Sequence, residues 1–317
     1  MAHAAFPHGV ERLMTVPSEL LDPLKRFQAE RGSKVYLFSP EPVAIHSCTS
    51  EEIRSDFAAL PKIKKLDVIL NSGGGVLDDA FKIGRMLRRH AEQLTFFVPS
   101  YAKSGATLIA LGGDQIVMLE EAELGPLDTQ LPDPSEPHER ISALNGFKAL
   151  EAVSLFCHVY FDETVGVVLS KSAYGVRDAL NVAAQIVPGV AKPLFDQVDP
   201  HRLGLLSSAL DLAQRYATEL ASGYGPKAAE IAGTLVRSFP THDYVIDIEQ
   251  AQACGLKARA ATEKEAEILR ELAELLNVMP VMGFADDFAS LPEEAEQSNE
   301  YSAEKTGENG APAQDHG

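Results

Sequence analysis

The chain has 317 residues, 45% of them hydrophobic, and carries a formal net charge of −18. That length and apolar content support a sizeable core in one large domain or two small ones. The acidic balance excludes a nucleic-acid-binding surface, which needs a basic footprint, and argues against docking on an anionic membrane face.

Ser18 to Glu30 has helical spacing, with Leu20, Leu21, Leu24 and Phe27 on one face. Val35 to Phe38 is a short strand closed by Ser39-Pro40, and Ser50 to Ala59 is a helix with Ser50 as its cap. Leu66 to Leu70 is apolar apart from Asp67, as expected for a strand buried on both faces. The turn Asn71-Ser72-Gly73-Gly74-Gly75 follows. It opens a helix over Val76 to Arg89, with Asp78 and Asp79 in the first turn and Arg85, Arg88 and Arg89 near the end, all favourable to the helix dipole. Leu94 to Val98 is a strand, Ser104 to Leu111 a helix of small residues, and Gln115 to Leu119 another strand. This alternation predicts an α/β core with parallel strands.

Leu131 to Arg140 is a Pro-rich polar break, after which helices dominate: Ile141 to Ser170, Val176 to Ile186, Leu203 to Ser222 and Pro226 to Arg237. Tyr244 to Ile246 reads as a last short strand. Ile248 to Cys254 is a short helix ending at Gly255, and Thr262 to Leu276 is an amphipathic helix with a Thr262/Glu265 capping box. From Leu291 onward the composition is that of an acidic disordered tail, with seven acids against Lys305. The three cysteines Cys48, Cys157 and Cys254 lack metal-like spacing and suit buried apolar positions in a reducing compartment. The N-terminal stretch lacks a signal-peptide pattern, and no window approaches the ~18 consecutive apolar residues of a membrane span. The expectation is a cytoplasmic protein with no membrane span.

Two strand-to-helix turns carry the chemistry. The glycines of the first let backbone amides approach a ligand at a helix N-terminus, as an oxyanion hole or a phosphate cradle would require. The Walker pattern fails, because no Gly-Lys-Ser/Thr follows, and Asp78 stands where a dinucleotide fingerprint needs its third glycine. The second turn, Tyr101-Ala102-Lys103-Ser104-Gly105-Ala106, places a serine at a sharp bend among small neighbours. Ser104 alone reads equally as a helix cap. No HExxH or CxxC occurs, so neither a catalytic metal nor another cofactor is expected.

Together the turns support a resemblance. Leu70-Asn71-Ser72-Gly73-Gly74-Gly75-Val76 resembles the Asn-Ser-Pro-Gly-Gly turn of the Clp protease proteolytic subunit, with Gly73 in place of proline. The Ser104 stretch, with Leu124-Gly125-Pro126-Leu127-Asp128-Thr129-Gln130, is more similar to the serine dehydrogenase proteinase family, relatives of signal peptide peptidase A. Thr241-His242-Asp243-Tyr244-Val245-Ile246-Asp247 fits both groups. The resemblance implies an α/β fold with a ClpP/crotonase-like core of repeated β-β-α units and a helical C-terminal half. It divides the chain into an N-terminal helical extension (1–33), the core (34–130), a helical continuation (131–285) and an acidic tail (286–317).

It also implies a serine peptidase with Ser104 as nucleophile, an oxyanion hole at Gly74, Gly75 and Gly105, a peptide or protein substrate, and a homo-oligomer assembled through the long helices. The base stays open. The Clp subunit's histidine would fall near Leu127 or Asp128, where this sequence has none. Lys148 fits the lysine base of the signal peptide peptidase relatives by position, provided that burial lowers its pKa. Asp243 falls at the Clp subunit's orienting aspartate, Asp128 reads as a cap or an orienter, and His242 as a base only if its segment turns it toward the serine. Two alternatives use the same turns: an inactive scaffold that binds peptides or partners, and a crotonase-like acyl-CoA enzyme.

Overall fold

A computed structural model describes residues 3–4, 12–13, 18–40, 42, 44–132, 140–278 and 280–289. The tail expected beyond residue 290 lies outside the described residues. Two short strands, β1 (His3–Ala4) and β2 (Arg12–Leu13), pair antiparallel. Then follow α1 (Ser18–Arg31), β3 (Lys34–Ser39), α2 (Ser47–Phe57), β4 (Ile63–Leu70), α3 (Leu77–His90), β5 (Ala91–Val98), β6 (Tyr101–Ala102), α4 (Gly105–Ala110), β7 (Gln115–Met118) and β8 (Glu123–Leu124). The hairpin β9 (Gln130–Pro132) and β10 (Arg140–Ser142) leads into α5 (Ala143–Lys171), α6 (Val176–Phe195), α7 (Pro200–Leu220) and α8 (Ala228–Arg237). The chain closes with α9 (Ile248–Ala253), β11 (Ala258–Ala260), α10 (Glu263–Leu276), β12 (Val281–Phe284) and α11 (Ala285–Phe288).

The main sheet has the order β11-β7-β5-β4-β3-β12. It is parallel except at β12, which runs antiparallel to β3. The α/β class is therefore as the alternation predicts. β4 and β5 sit at its centre with their last five residues buried, so continuous apolar runs belong there. The edge strands β11 and β12 are too short and mixed to stand out in the sequence; they are recruited from residues after the helical half. Asp67, fully buried in β4, accepts from Arg31 Nε at 2.8 Å and from Ser33 Oγ at 2.7 Å.

The same arginine reaches Glu265 at 3.0 Å, and Arg259 closes on that carboxylate through two guanidinium nitrogens at 2.7 and 2.9 Å. Burial pushes the Glu265 pKa up, but the Arg259 and Thr262 hydrogen bonds outweigh it and hold the group at about 2. A depressed carboxyl contributes stability above its ordinary pKa and loses it as pH falls through the folded value. Glu265→Ala should cost about 3 kcal/mol at pH 7, the scale for stripping the partner from a buried ion pair. Urea denaturation should show that gap narrowing as pH is lowered from 4 toward 2.

Five local expectations change. The strand expected over Tyr244 to Ile246 is a single bridge from Ile246 to Leu124. α2 starts three residues earlier than Ser50, because His46 caps it through a reciprocal pair with Thr49. α6 continues past Ile186 to Phe195 despite Pro188 and Pro193. Its buried stripe Ala179, Ala183, Val187, Ala191 packs on α5, and that seam outweighs the lost N–H donors. The cysteines are half-buried rather than buried. Finally, α5 is long and apolar enough to cross a membrane by length and composition. Asp162 and Glu163 interrupt its apolar run, which is why the count of consecutive apolar residues missed it.

Candidate active site

The site lies at the C-terminal ends of β4, β5 and β7, where a parallel sheet presents its loops. A second, short ladder forms there. Ser72 bridges Ala102, β6 pairs parallel with β8, and Leu124 bridges Ile246 antiparallel. Each rung delivers one part of the site: Gly73–Gly75 after Ser72, Ser104 after Ala102, Asp128 after Leu124, and His242 just before Ile246. Thr107, buried on α4, ties two rungs together. Its hydroxyl lies 2.6 Å from the Ala102 carbonyl and 2.9 Å from that of Gly125, and it accepts from Gly125 N–H at 3.1 Å. The sequence signal for Thr107 is slight: one hydroxyl in an otherwise apolar helix.

Ser104 has φ +49° and ψ −117°, the one non-glycine positive φ among the described residues. It precedes α4 but its side chain does not cap it, so the cap reading fails. Ser104 instead lines a cavity of about 600 Å³, together with Gly74, Gly75, Asp128 and His242. Gly74 (φ +96°) presses on the serine turn; a Cβ there would stand 2.6 Å from the Lys103 carbonyl and 3.0 Å from Ser104 Cβ. Gly75 (φ +153°) crosses the Ile45 backbone, where a Cβ would come within 2.3 Å. The Gly74 N–H donates to Ser72 Oγ at 3.1 Å, whereas the N–H groups of Gly75 and Gly105 have no acceptor among the described residues. These two amides are neighbours: a Cβ on Gly105 would lie 3.3 Å from Gly75 N.

His242 Nδ1 is 3.0 Å from Asp128 Oδ1. Asp128 is 2% exposed, and its other oxygen accepts from Ser142 Oγ. The bond to Asp128 raises the His242 pKa above 6.5, against the lowering effect of burial. Burial pushes Asp128 up, but the His242 and Ser142 hydrogen bonds prevail and hold it low. Residues 241–243 form a turn, not an extended strand, so the alternation argument that set His242 aside does not apply.

Lys148 does not line the cavity. Its Nζ donates to the carbonyls of Phe239 at 3.1 Å and Pro240 at 2.5 Å. Asp243 is exposed and has no hydrogen bond or ion pair among the described residues. Lys103 turns away from the serine to pair with Glu123 at 2.6 Å. The cavity wall adds Ile45, Val76, Leu77, Leu127 and Leu131, with Arg140 at the rim.

A parallel α/β core with a strained serine on one turn and glycine amides on the next defines the ClpP-like serine-hydrolase class. Residues 36–144 match the family model described as ClpP-like SDH-type serine proteinase, the family that the sequence resembles. The matched segment includes Ser104, Asp128 and the three glycines, but neither Lys148 nor His242.

Two uncharacterized proteins of Methanocaldococcus jannaschii are 32% and 27% identical over 223 and 231 residues, or 70% and 73% of this chain. The chain spans 63% and 62% of the length of those relatives. Two solved structures of a membrane-bound stomatin-specific protease are also similar, one a serine-to-alanine mutant and one a lysine-to-alanine mutant in complex with a substrate peptide. Each is 16% identical with a TM-score of 0.40. They cover 77% and 74% of this chain and 83% and 78% of their own.

Proposed function

We propose that the protein is a serine peptidase whose nucleophile is Ser104, with His242 as general base and Asp128 as its orienting carboxylate. The observation that carries this reading is the His242–Asp128 hydrogen bond in the cavity that Ser104 lines. Asp128 engages Nδ1, which leaves Nε2 to take the hydroxyl proton as the serine attacks a peptide carbonyl. The amides of Gly75 and Gly105 receive the oxyanion; Gly74 N–H joins them once it releases Ser72. His242 then returns its proton to the leaving amine, and water repeats the cycle on the acyl-enzyme. The bound Asp128 favours an active enzyme over an inactive scaffold, because a carboxylate–imidazole pair in the cavity of a strained serine supplies the proton acceptor that a scaffold does not need. The test is a fluorophosphonate probe. Wild-type protein should label on Ser104, and the Ser104→Ala and His242→Ala variants should not; labelling of His242→Ala at the wild-type rate would sink the assignment.

The proposal includes a homo-oligomer formed through α5 and α6. On α5, Leu155 and Val159 stand four residues apart and Val167 eight further on, with Glu163 between them on the same line; Ile186, Val190 and Leu194 recur in four-residue steps on α6, and all six apolar residues are exposed. A bilayer would have to take in Asp162 and Glu163, at roughly 3 kcal/mol for a charged carboxylate at mid-membrane. Light scattering behind gel filtration should give a multiple of the 34.2 kDa chain, and Leu155→Glu with Val159→Glu should reduce it to one chain. A monomeric wild type would remove this part of the reading.

A further inference from the structure

The first two turns of α5 hold both halves of the proton-transfer pair. Ser142, the N-cap of α5, accepts from Leu144 N–H at 3.1 Å while its hydroxyl binds Asp128. One and a half turns on, Lys148 reaches the carbonyls of Phe239 and Pro240, the latter two residues before His242. Among the described residues, Lys148 and Asp128 supply the side-chain hydrogen bonds that fasten 238–242 to the rest of the molecule. The segment's other ties lie at its start, where Ser238 N–H donates to the Thr234 carbonyl at 3.0 Å and Phe239 packs against the core; Pro240 carries no N–H, and the Tyr244 N–H bond to Thr241 is internal to the turn.

We propose that Lys148 is a positioning residue, which clamps the segment carrying His242 so that its imidazole stays on Asp128 in the cavity that Ser104 lines. This rests on the assignment of His242 as base. A lysine suits the task because one ammonium has three donors, enough to hold two adjacent carbonyls that point the same way. It also explains why a lysine stands at this point of α5 without entering the cavity. Ser142 and Lys148 lie on one rigid helix, so Asp128 and His242 are registered against the same element although they are 114 residues apart. A base displaced by about 1 Å loses roughly 100-fold in rate.

Lys148→Ala should therefore lower kcat on a small activated ester or thioester by 10- to 100-fold with KM unchanged. In the Ser104→Ala background, where nothing can turn over, NMR titration of His242 should move down toward the value of a free imidazole as the Asp128 contact loosens. Lys148→Arg, which keeps two donors on a long stem, should restore kcat to within a few-fold and return the titration to its original place. Three results would overturn the proposal. A Lys148→Ala protein with a lower Tm but unchanged kcat and His242 titration would make the lysine merely structural. Loss of all activity in both Lys148 variants, with His242 titrating as in the parent, would make it a proton acceptor. A His242→Ala protein that labels like wild type would overturn the assignment of the base, which is separable because the NMR readout does not need catalysis.

Discussion

Ser104→Ala and Ser104→Gly should both lose about a million-fold in kcat, the scale on which a serine nucleophile counts. The two should differ in stability, and in an unusual order. At an ordinary position glycine is less stable than alanine by roughly 0.5–1 kcal/mol, because its unfolded chain has more freedom to lose. At φ +49° and ψ −117° any Cβ is strained, at about 1–3 kcal/mol. Glycine escapes that strain and alanine does not. Ser104→Gly should therefore unfold at a higher urea concentration than both Ser104→Ala and the parent. Equal or lower stability for the glycine variant would mean that the turn is relaxed and that the serine's exposure to the cavity is not held by strain.

Asp128→Asn should lower kcat/KM by about 10,000-fold while Ser104 stays in place, since an amide at this position stabilises the wrong tautomer of the base. The pH dependence carries more information than the loss. His242 acts as a base only when neutral, and its pKa is raised chiefly by the hydrogen bond to Asp128. Activity of the parent should thus climb with pH through a midpoint above 6.5. In Asp128→Asn the surviving activity should climb at a lower pH, because the raising partner is gone and burial still favours the neutral ring.

Stability follows the opposite limb. A histidine whose folded pKa is raised contributes its stabilisation fully below the unfolded value, and loses it as pH rises through the folded one. The parent should therefore become less stable across that interval, and Asp128→Asn should show no such slope. A parent profile that rises below pH 6 would exclude the His242–Asp128 pair as the titrating unit.

The local elements of the core were legible in the sequence because they answer to local rules. A Gly-rich turn between an apolar run and an amphipathic helix reads as such wherever it stands, and Gly74 and Gly75 indeed sit at positive φ where a Cβ would strike backbone. The capping box at Thr262 and Glu265 forms as the spacing dictates. Ser104 was legible as a strand-to-helix residue, a cap when read alone and a nucleophile through the resemblance; its backbone angles and the lack of a side-chain cap bond came from the structure.

The long-range parts depended on tertiary structure. β11 and β12 are sheet edges only because β7 and β3 offer them an edge, and a three- or four-residue strand leaves no periodicity to read. The pairing of His242 with Asp128 rather than with its neighbour Asp243 depends on a turn over residues 241–243, and on a second ladder that brings Ile246 to Leu124. Lys148 matched a base by sequence position, yet its helix directs it to two carbonyls outside the cavity. Sequence alone therefore determined the two turns and the family they resemble, because a Gly-rich bend and a serine among small neighbours are encoded within a few residues. The base we propose is visible only in the fold, because a proton acceptor must come within about 3 Å of its partner and no spacing along the chain determines that distance.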